Sequence, residues 1–391
     1  VRSLLQAGLA LALAAGAVAA VPLQQQAVPA ALTMFASADI GQALFYAMPD
    51  AASALSFRAH ATQIGMIAPQ SFALTSRGEL RGTLPADLAA IAQTAAVPIM
   101  PLVINAGFSR TNAIRLLRSA SARDQAIGAL VEQARDLSLA GWQIDFEGLP
   151  STQRAAFTRF VREVADALHR HGKLLSVAVA ARTSDDPASG NWKGFSGVYD
   201  YAGLADSADF LSVMAYPESD ATHPGPLASA PWVEQVVQHV LETVPADKVS
   251  LGLPTYQTDW MERRVRVSVR KRVAGKVKRV FHTVYKMFHR SGAAVHNDDN
   301  PLEWDPTLES SYRIEGEGHH RQVTWVEDER SFAAKLKLVS EYHLRGFSVW
   351  RIGLEDPHIW GELPDAPRQV ATPADAGPVA LVTGHATSGR F

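Results

Sequence analysis

Short apolar runs recur along this chain at intervals filled by segments of helical period. The runs Ala43–Ala47, Gln63–Ala68, Val97–Asn105, Trp142–Glu147, Leu174–Ala180, Phe210–Tyr216, Val249–Pro254 and Gly346–Ile352 read as strands buried on both faces. Between them, Ala122–Leu139, Thr152–His171, Pro231–Val244 and Ser331–His343 place apolar residues three and four apart, as amphipathic helices do. Strand and crossover helix repeated eight times predict an α/β fold, a (β/α)8 TIM barrel over residues 39–365. Roughly ninety residues separate the seventh run from the eighth, too many for a loop, so an insertion with its own structure is expected at about 258–330. Inside it, Arg264-Val-Arg-Val-Ser-Val-Arg270 alternates strictly, Ala274-Gly275 offers a turn, and Lys276-Val-Lys278 resumes the alternation: a basic β-hairpin.

The candidate chemistry lies in the fourth run. In Gly141-Trp-Gln-Ile-Asp-Phe-Glu-Gly148 a period of two sets Gln143, Asp145 and Glu147 on one face and Trp142, Ile144 and Phe146 on the other. Polar side chains inside a barrel are unfavourable unless hydrogen-bonded or used. Crowding Asp145 against Glu147 disfavours ionising both and holds a proton on the pair near neutral pH. A protonated carboxyl beside an ionised one is what protonation of a glycosidic oxygen requires. A strand end whose acids face solvent is the plainer explanation of the same residues.

Ile144-Asp-Phe-Glu147 resembles the end of the signature strand of glycoside hydrolase family 18, written D-G-x-D-x-D-x-E in chitinases. Ala140 and Gln143 stand where that pattern has its first two acids. Ser212-Val-Met-Ala-Tyr216, Gly225-Pro-Leu-Ala-Ser229 and Gly346-Phe-Ser-Val-Trp-Arg-Ile-Gly353 follow as further matches in order. The chain resembles bacterial domains of that family, found free-standing or fused to polysaccharide deacetylases and glycosyltransferases. The resemblance implies Glu147 as general acid and then base, with the 2-acetamido oxygen of the substrate as the attacking group. It implies Asp145 at the acetamido nitrogen, Tyr216 donating to the acetamido oxygen, and Trp350 as a floor for the sugar ring. Met214 then lines the pocket. Gln143 is a departure, since an amide cannot take a proton. Pro217 replaces an acid common after the Tyr, and Glu218 is the nearest acid to fill that place. The implied function is hydrolysis of β-linked N-acetylglucosamine glycans, chitin- or peptidoglycan-like, with retention. A non-catalytic, glycan-binding lectin of the same shape is the alternative.

Composition narrows the setting. The 391 residues are 47% hydrophobic with a formal charge of −2, so no global field favours nucleic acid, and none is expected as a partner. The basic hairpin is an exception: Arg263 to Arg279 holds nine basic residues and no acid. It suits an anionic cell-wall polymer, or simply a charged edge that blocks sheet-to-sheet association. Cysteine is absent, which excludes disulfides and thiolate metal sites. His319-His320 and His296-Asn-Asp-Asp-Asn300 fit no metal-ligand spacing, and neither a metal nor a cofactor is expected. Residues 1–20, with Arg2, an apolar run and Ala17-Val-Ala19, read as a signal peptide or an uncleaved membrane anchor, so the protein is expected to be exported. Residues 21–38 read as a spacer and 366–391 as a disordered tail.

Overall fold

The computed structural model describes residues 42–220, 223–273, 276–294 and 301–366. The expected targeting segment, the spacer, the hairpin turn at Ala274-Gly275, the His296–Asn300 cluster and all but the first residue of the expected tail lie outside the described residues. In chain order the strands are β1 (Gln42–Ala47), β2 (Met66–Leu74), β3 (Leu80–Gly82), β4 (Leu102–Asn105), β5 (Gly141–Asp145), β6 (Leu174–Ala180), β7 (Phe210–Met214) and β8 (Val249–Pro254). β9 (Tyr256–Val273), β10 (Lys276–Ala293), β11 (Glu303–Asp305), β12 (Ser310–Glu315) and β13 (Gln322–Val326) form the insertion, and β14 (Gly346–Trp350) returns to the barrel. The helices are α1 (Ala51–His60), α2 (Ala86–Ala95), α3 (Arg110–Arg118), α4 (Ala120–Asp136), α5 (Arg154–His169), α6 (Gly190–Gly194), α7 (Tyr201–Ala205), α8 (Ala230–Leu241) and α9 (Glu329–Glu341).

Eight parallel strands close on themselves: the ladder runs β1-β14-β8-β7-β6-β5-β4-β2, and β2 pairs back onto β1. This is the (β/α)8 barrel the apolar runs predict. Gly141 opens β5 because a Cβ there would lie 2.0 Å from the carbonyl oxygen of Leu174 on β6. Two apolar layers result. Outside the barrel, Trp142, Ile144 and Phe146 pack under the helices, and Phe146 stacks on Phe157 and Phe160 of α5 at 6.0 and 5.8 Å. A smaller cluster of Leu44, Tyr46, Met66, Met100 and Phe210 packs separately, with Trp350 against it.

Some boundaries differ from the pattern for local reasons. β4 begins only at Leu102, because Pro98 and Pro101 have no N–H to give a ladder. β2 runs on to Leu74 and folds back through a turn into β3, where the Thr75 N–H donates to the Glu79 carbonyl at 3.0 Å. β5 stops at Asp145, since the next backbone groups bond to side chains instead of neighbouring strands.

The insertion forms a second sheet, ordered β10-β9-β13-β12-β11, directly after the mouth end of β8. Trp260 ties it to the loop after β7, its indole N–H donating to the Gly225 carbonyl at 2.7 Å. The buried Asp259 accepts from the Thr324 hydroxyl at 2.8 Å and pairs with Arg290 at 2.9 Å. Lys335 of α9, fully buried, meets the buried Glu327 beyond β13 at 2.7 Å. Burial raises the Glu327 carboxyl, and the Lys335 ammonium works against that rise. Among the described residues no helix is long and apolar enough to cross a membrane.

Candidate active site

β5 carries alternate side chains to opposite sides of the barrel wall. Gln143 is completely buried and Asp145 is 4% exposed, whereas Glu147, beyond the strand end, is half-buried. Among the described residues, the two amide atoms of Gln143 and Oδ1 of Asp145 have no hydrogen-bond partner. An acceptor and an amide left unpaired in the interior are rare, and they mark a place where structure is held ready for something else. Burial, and then the repulsion of Glu147, raise the Asp145 carboxyl to about 8. Burial also raises Glu147. The two titrate as a pair, so one proton stays on them through neutral pH. Gln143 cannot share that proton.

The backbone that carries Glu147 is gripped by side chains on three sides. Asn105, at the end of β4 and completely buried, accepts from the Glu147 N–H at 2.9 Å and donates to its carbonyl at 3.1 Å. The Tyr199 hydroxyl donates to the Phe146 carbonyl at 3.0 Å, and Arg110 Nε donates to the Gly148 carbonyl at 2.7 Å. Glu147 therefore stands on a rigid base although its own strand has ended. Sequence reasoning missed all three supports. Asn105 alone carried a signal, as a polar residue at the C-terminal end of an apolar run, where barrel sites are built.

Tyr216 follows β7 and is partly buried. Burial, the neighbouring phenols Tyr46 and Tyr256, and the charges of Asp145 and Glu147 push its hydroxyl well above the usual phenol range. It is thus a neutral donor at any working pH. Tyr46 on β1, raised to about 12 chiefly by burial, meets the Ser212 hydroxyl at 2.6 Å, and Ser212 meets Ser348 at 2.6 Å. This buried row links β1, β7 and β14 beside Asp145. Trp350 ends β14 half-buried, its ring 5.5 Å from that of Tyr46. Its carbonyl accepts from the Thr255 N–H at 3.0 Å. Met214, at the end of β7, is also half-buried.

Glu218 is occupied differently from the expectation. One carboxylate oxygen accepts from the Ser229 N–H at 2.7 Å, and its own N–H donates to the Leu227 carbonyl at 2.7 Å. The acid therefore braces the Gly225–Ser229 loop while one edge stays on the cleft. That cleft, of about 470 Å³, is lined by Tyr216, Pro217 and Glu218 together with Arg182, Trp192 and Trp232. The Arg182 guanidinium is held 4.9 Å from the Trp192 ring and 3.9 Å from that of Tyr201. Trp192 and Trp232 lie outside the strands, where a lone Trp gives no signal of its own. Among the described residues no cluster of His, Asp and Glu is arranged to hold a metal ion.

A buried acid paired with a half-buried one at the mouth of a parallel barrel, beside a cleft walled with indoles, is the equipment of a carbohydrate hydrolase. Comparison with known proteins gives that class its family. Residues 77–355 match the model described as glycosyl hydrolases family 18, and the chain belongs to that family of glycoside hydrolases. It is 26% identical over 326 residues to the uncharacterized glycosylase YvbX of Bacillus subtilis, covering 82% of this chain and 90% of that protein. It is 29% identical over 305 residues to the cortical fragment-lytic enzyme of B. subtilis, covering 75% of this chain and 66% of that enzyme. Among solved structures, a chitinase from Chromobacterium violaceum superposes with a TM-score of 0.68 at 26% identity, over 82% of this chain and 97% of that one.

Proposed function

We propose that the protein is an exported glycosidase that hydrolyses β-linked N-acetylglucosamine glycans with retention, the substrate's own acetamido group acting as nucleophile. The observation that carries this reading is the buried carboxyl of Asp145, its Oδ1 unpaired among the described residues, one strand repeat below Glu147, with the neutral Tyr216 phenol beside them. In this reading the proton that the pair shares passes from Asp145 to Glu147 as the acetamido N–H arrives, and Glu147 donates it to the glycosidic oxygen as the bond breaks. Asp145, then ionised, accepts from the acetamido N–H and stabilises the positive charge that grows at that nitrogen. Tyr216 donates to the acetamido oxygen and aims it at the anomeric carbon. Attack closes an oxazolinium ring, and Glu147 then draws a proton from the water that opens it. Interactions that strengthen as charge develops lower the barrier, whereas equal binding of ground and transition states does not. Trp350 is the floor for the apolar face of the sugar, with Met214 packed beside it. Gln143 supplies dipole but no proton, so the pair Asp145–Glu147 works without a third acid. Glu218 shapes the rim through the Gly225–Ser229 loop. The cortical fragment-lytic and chitinase relatives support a glycan with N-acetylglucosamine units.

A matched pair of oligosaccharides, N-acetylated and fully deacetylated, tests the proposal in one assay. The acetylated one is cleaved with retention at the anomeric carbon, and a thiazoline analogue of the cyclic intermediate inhibits. Removing the acetamido group removes the attacking atom, and with it a proximity advantage of several powers of ten in rate, on the order of 10⁵ or more. Equal cleavage of the deacetylated oligosaccharide, or an inverted product by NMR, overturns the substrate-assisted reading.

A further inference from the structure

β9 and β10 leave the insertion sheet as a free two-stranded ribbon. β13 pairs with β9 only from Gln257 to Met261, whereas β9 and β10 stay in unbroken register from Tyr256–Ala293 out to Val273–Lys276. From Glu262 to Val273 neither strand has a third strand as ladder partner among the described residues, over about 40 Å at ~3.3 Å per residue, and His319 touches the ribbon at its root through Glu262. Two strands alone are marginal in water, because neither face is covered.

The two faces differ. Val265, Val267 and Val269 alternate along one, opposite Val284, His282 and Val280, and form an apolar stripe. Val269 is 45% exposed. Arg264, Arg266 and Arg270 stand on the other face, all exposed, with Arg279 directly opposite Arg270. Like charges placed opposite each other destabilise a ladder unless an anion lies between or over them. Phe288, in register with Met261, is exposed on the valine face, whose root carries Arg263 opposite Lys286, whereas Phe281, opposite Ser268, is exposed on the arginine face with Arg266 over its ring at 4.3 Å. From Arg263 to Arg290 the sequence has eleven Lys and Arg and no acid, in a chain whose total charge is −2. The other 26 Lys and Arg are outnumbered by 39 acids, so the excess of positive charge is concentrated on this ribbon.

We infer that the ribbon is a docking element for an anionic lipid bilayer, laying its valine stripe and Phe288 into the headgroup boundary while its arginines meet lipid phosphates. A soluble anionic polymer would satisfy the arginines but offers nothing to the valines. A bilayer interface takes both, by the same combination of apolar burial and charge attraction that holds amphipathic elements in it. The ribbon is rooted beside the barrel mouth, where the Ala294 N–H donates to the Leu354 carbonyl at 2.8 Å. Docking therefore keeps the cleft close to the surface.

The test is co-sedimentation of the full chain with phosphatidylcholine vesicles, with and without phosphatidylglycerol. Two variants are compared, Val267→Thr/Val269→Thr/Val280→Thr and Arg264→Gln/Arg266→Gln/Arg270→Gln, with circular dichroism and melting as checks on folding. The expected result is binding only to the phosphatidylglycerol vesicles, weakened by salt and reduced roughly tenfold or more in each variant. Threonine keeps the shape and strand preference of valine, so its loss of binding reports the apolar contact. Absence of binding by the unaltered chain overturns the inference. So does unchanged vesicle binding by the valine variant, which assigns the ribbon to a soluble anionic polymer. Should one variant fail to fold, the other variant and the unaltered chain still decide the outcome.

Discussion

The side-chain amide of Asn105 holds the backbone of Glu147 at both its N–H and its carbonyl, at 2.9 and 3.1 Å. Such a two-point grip fixes the peptide plane from which the carboxylate projects, without touching the carboxylate. It takes over where the β5 ladder ends at Asp145. The side chain that is proposed to deliver the proton thus owes its position to the neighbouring strand.

Removing that grip separates position from chemistry. Asn105→Ala is expected to lower kcat by roughly 10²-fold with little change in KM, the scale on which a displacement of about 1 Å acts on a reacting group. Stability should fall by about 1–3 kcal/mol, because the Glu147 backbone groups lose their buried partner. A melting curve and a Michaelis curve on a fluorogenic N-acetylglucosaminide check both. Loss of stability with unchanged kcat would reduce Asn105 to a structural role.

Glu147→Gln keeps shape and removes the transferable proton. Hydrolysis is expected to drop by ~10²-fold or more, the contribution of a positioned general acid. Affinity for an N-acetylated oligosaccharide, measured calorimetrically, should stay near that of the unaltered protein. Normal turnover in this variant would take Glu147 out of the mechanism.

The Asp145 carboxyl carries a sign that thermal melts can read. Folding raises it from 3.8 to about 8, so between those values the native state holds a proton that the unfolded chain releases. Its contribution to stability is complete below pH about 4 and declines as pH rises toward about 8. Asp145→Asn has no such proton, so its melting temperature should fall less over that range and exceed that of the unaltered protein at pH 8. Its activity should be largely lost. Parallel melting profiles for the two proteins from pH 4 to 8 would contradict the raised carboxyl.

Trp350→Ala is expected to weaken glycan binding by about 1–3 kcal/mol, the scale for losing an aromatic anchor at a binding site. The circular dichroism spectrum should be unchanged, since the indole is only half-buried and packs against Tyr46 along one side. If the variant unfolds, Trp350 belongs to the core and another side chain carries the sugar.

The sequence by itself determined the barrel, for a physical reason. A strand buried on both faces must be apolar almost throughout, so eight short apolar runs spaced by helical segments leave few other folds. It also isolated Asp145 and Glu147, because acids in such a run stand out against Trp142, Ile144 and Phe146. Tertiary structure alone decided what surrounds them. Asn105 reads locally as the polar end of an apolar run, yet its partner lies 42 residues away. Tyr46, Ser212 and Ser348 are unremarkable in their own runs and form a hydrogen-bonded row only because the barrel closes β1 onto β14. Glu218 reads as the acid nearest the place after Tyr216, and it is chain folding that brings the Ser229 N–H onto its carboxylate. The alternation of Arg and Val announced a hairpin, but not that its outer length would stand clear of a third strand. Periodicity reports what one segment needs to bury, whereas pairing between distant segments depends on which of them closure brings together.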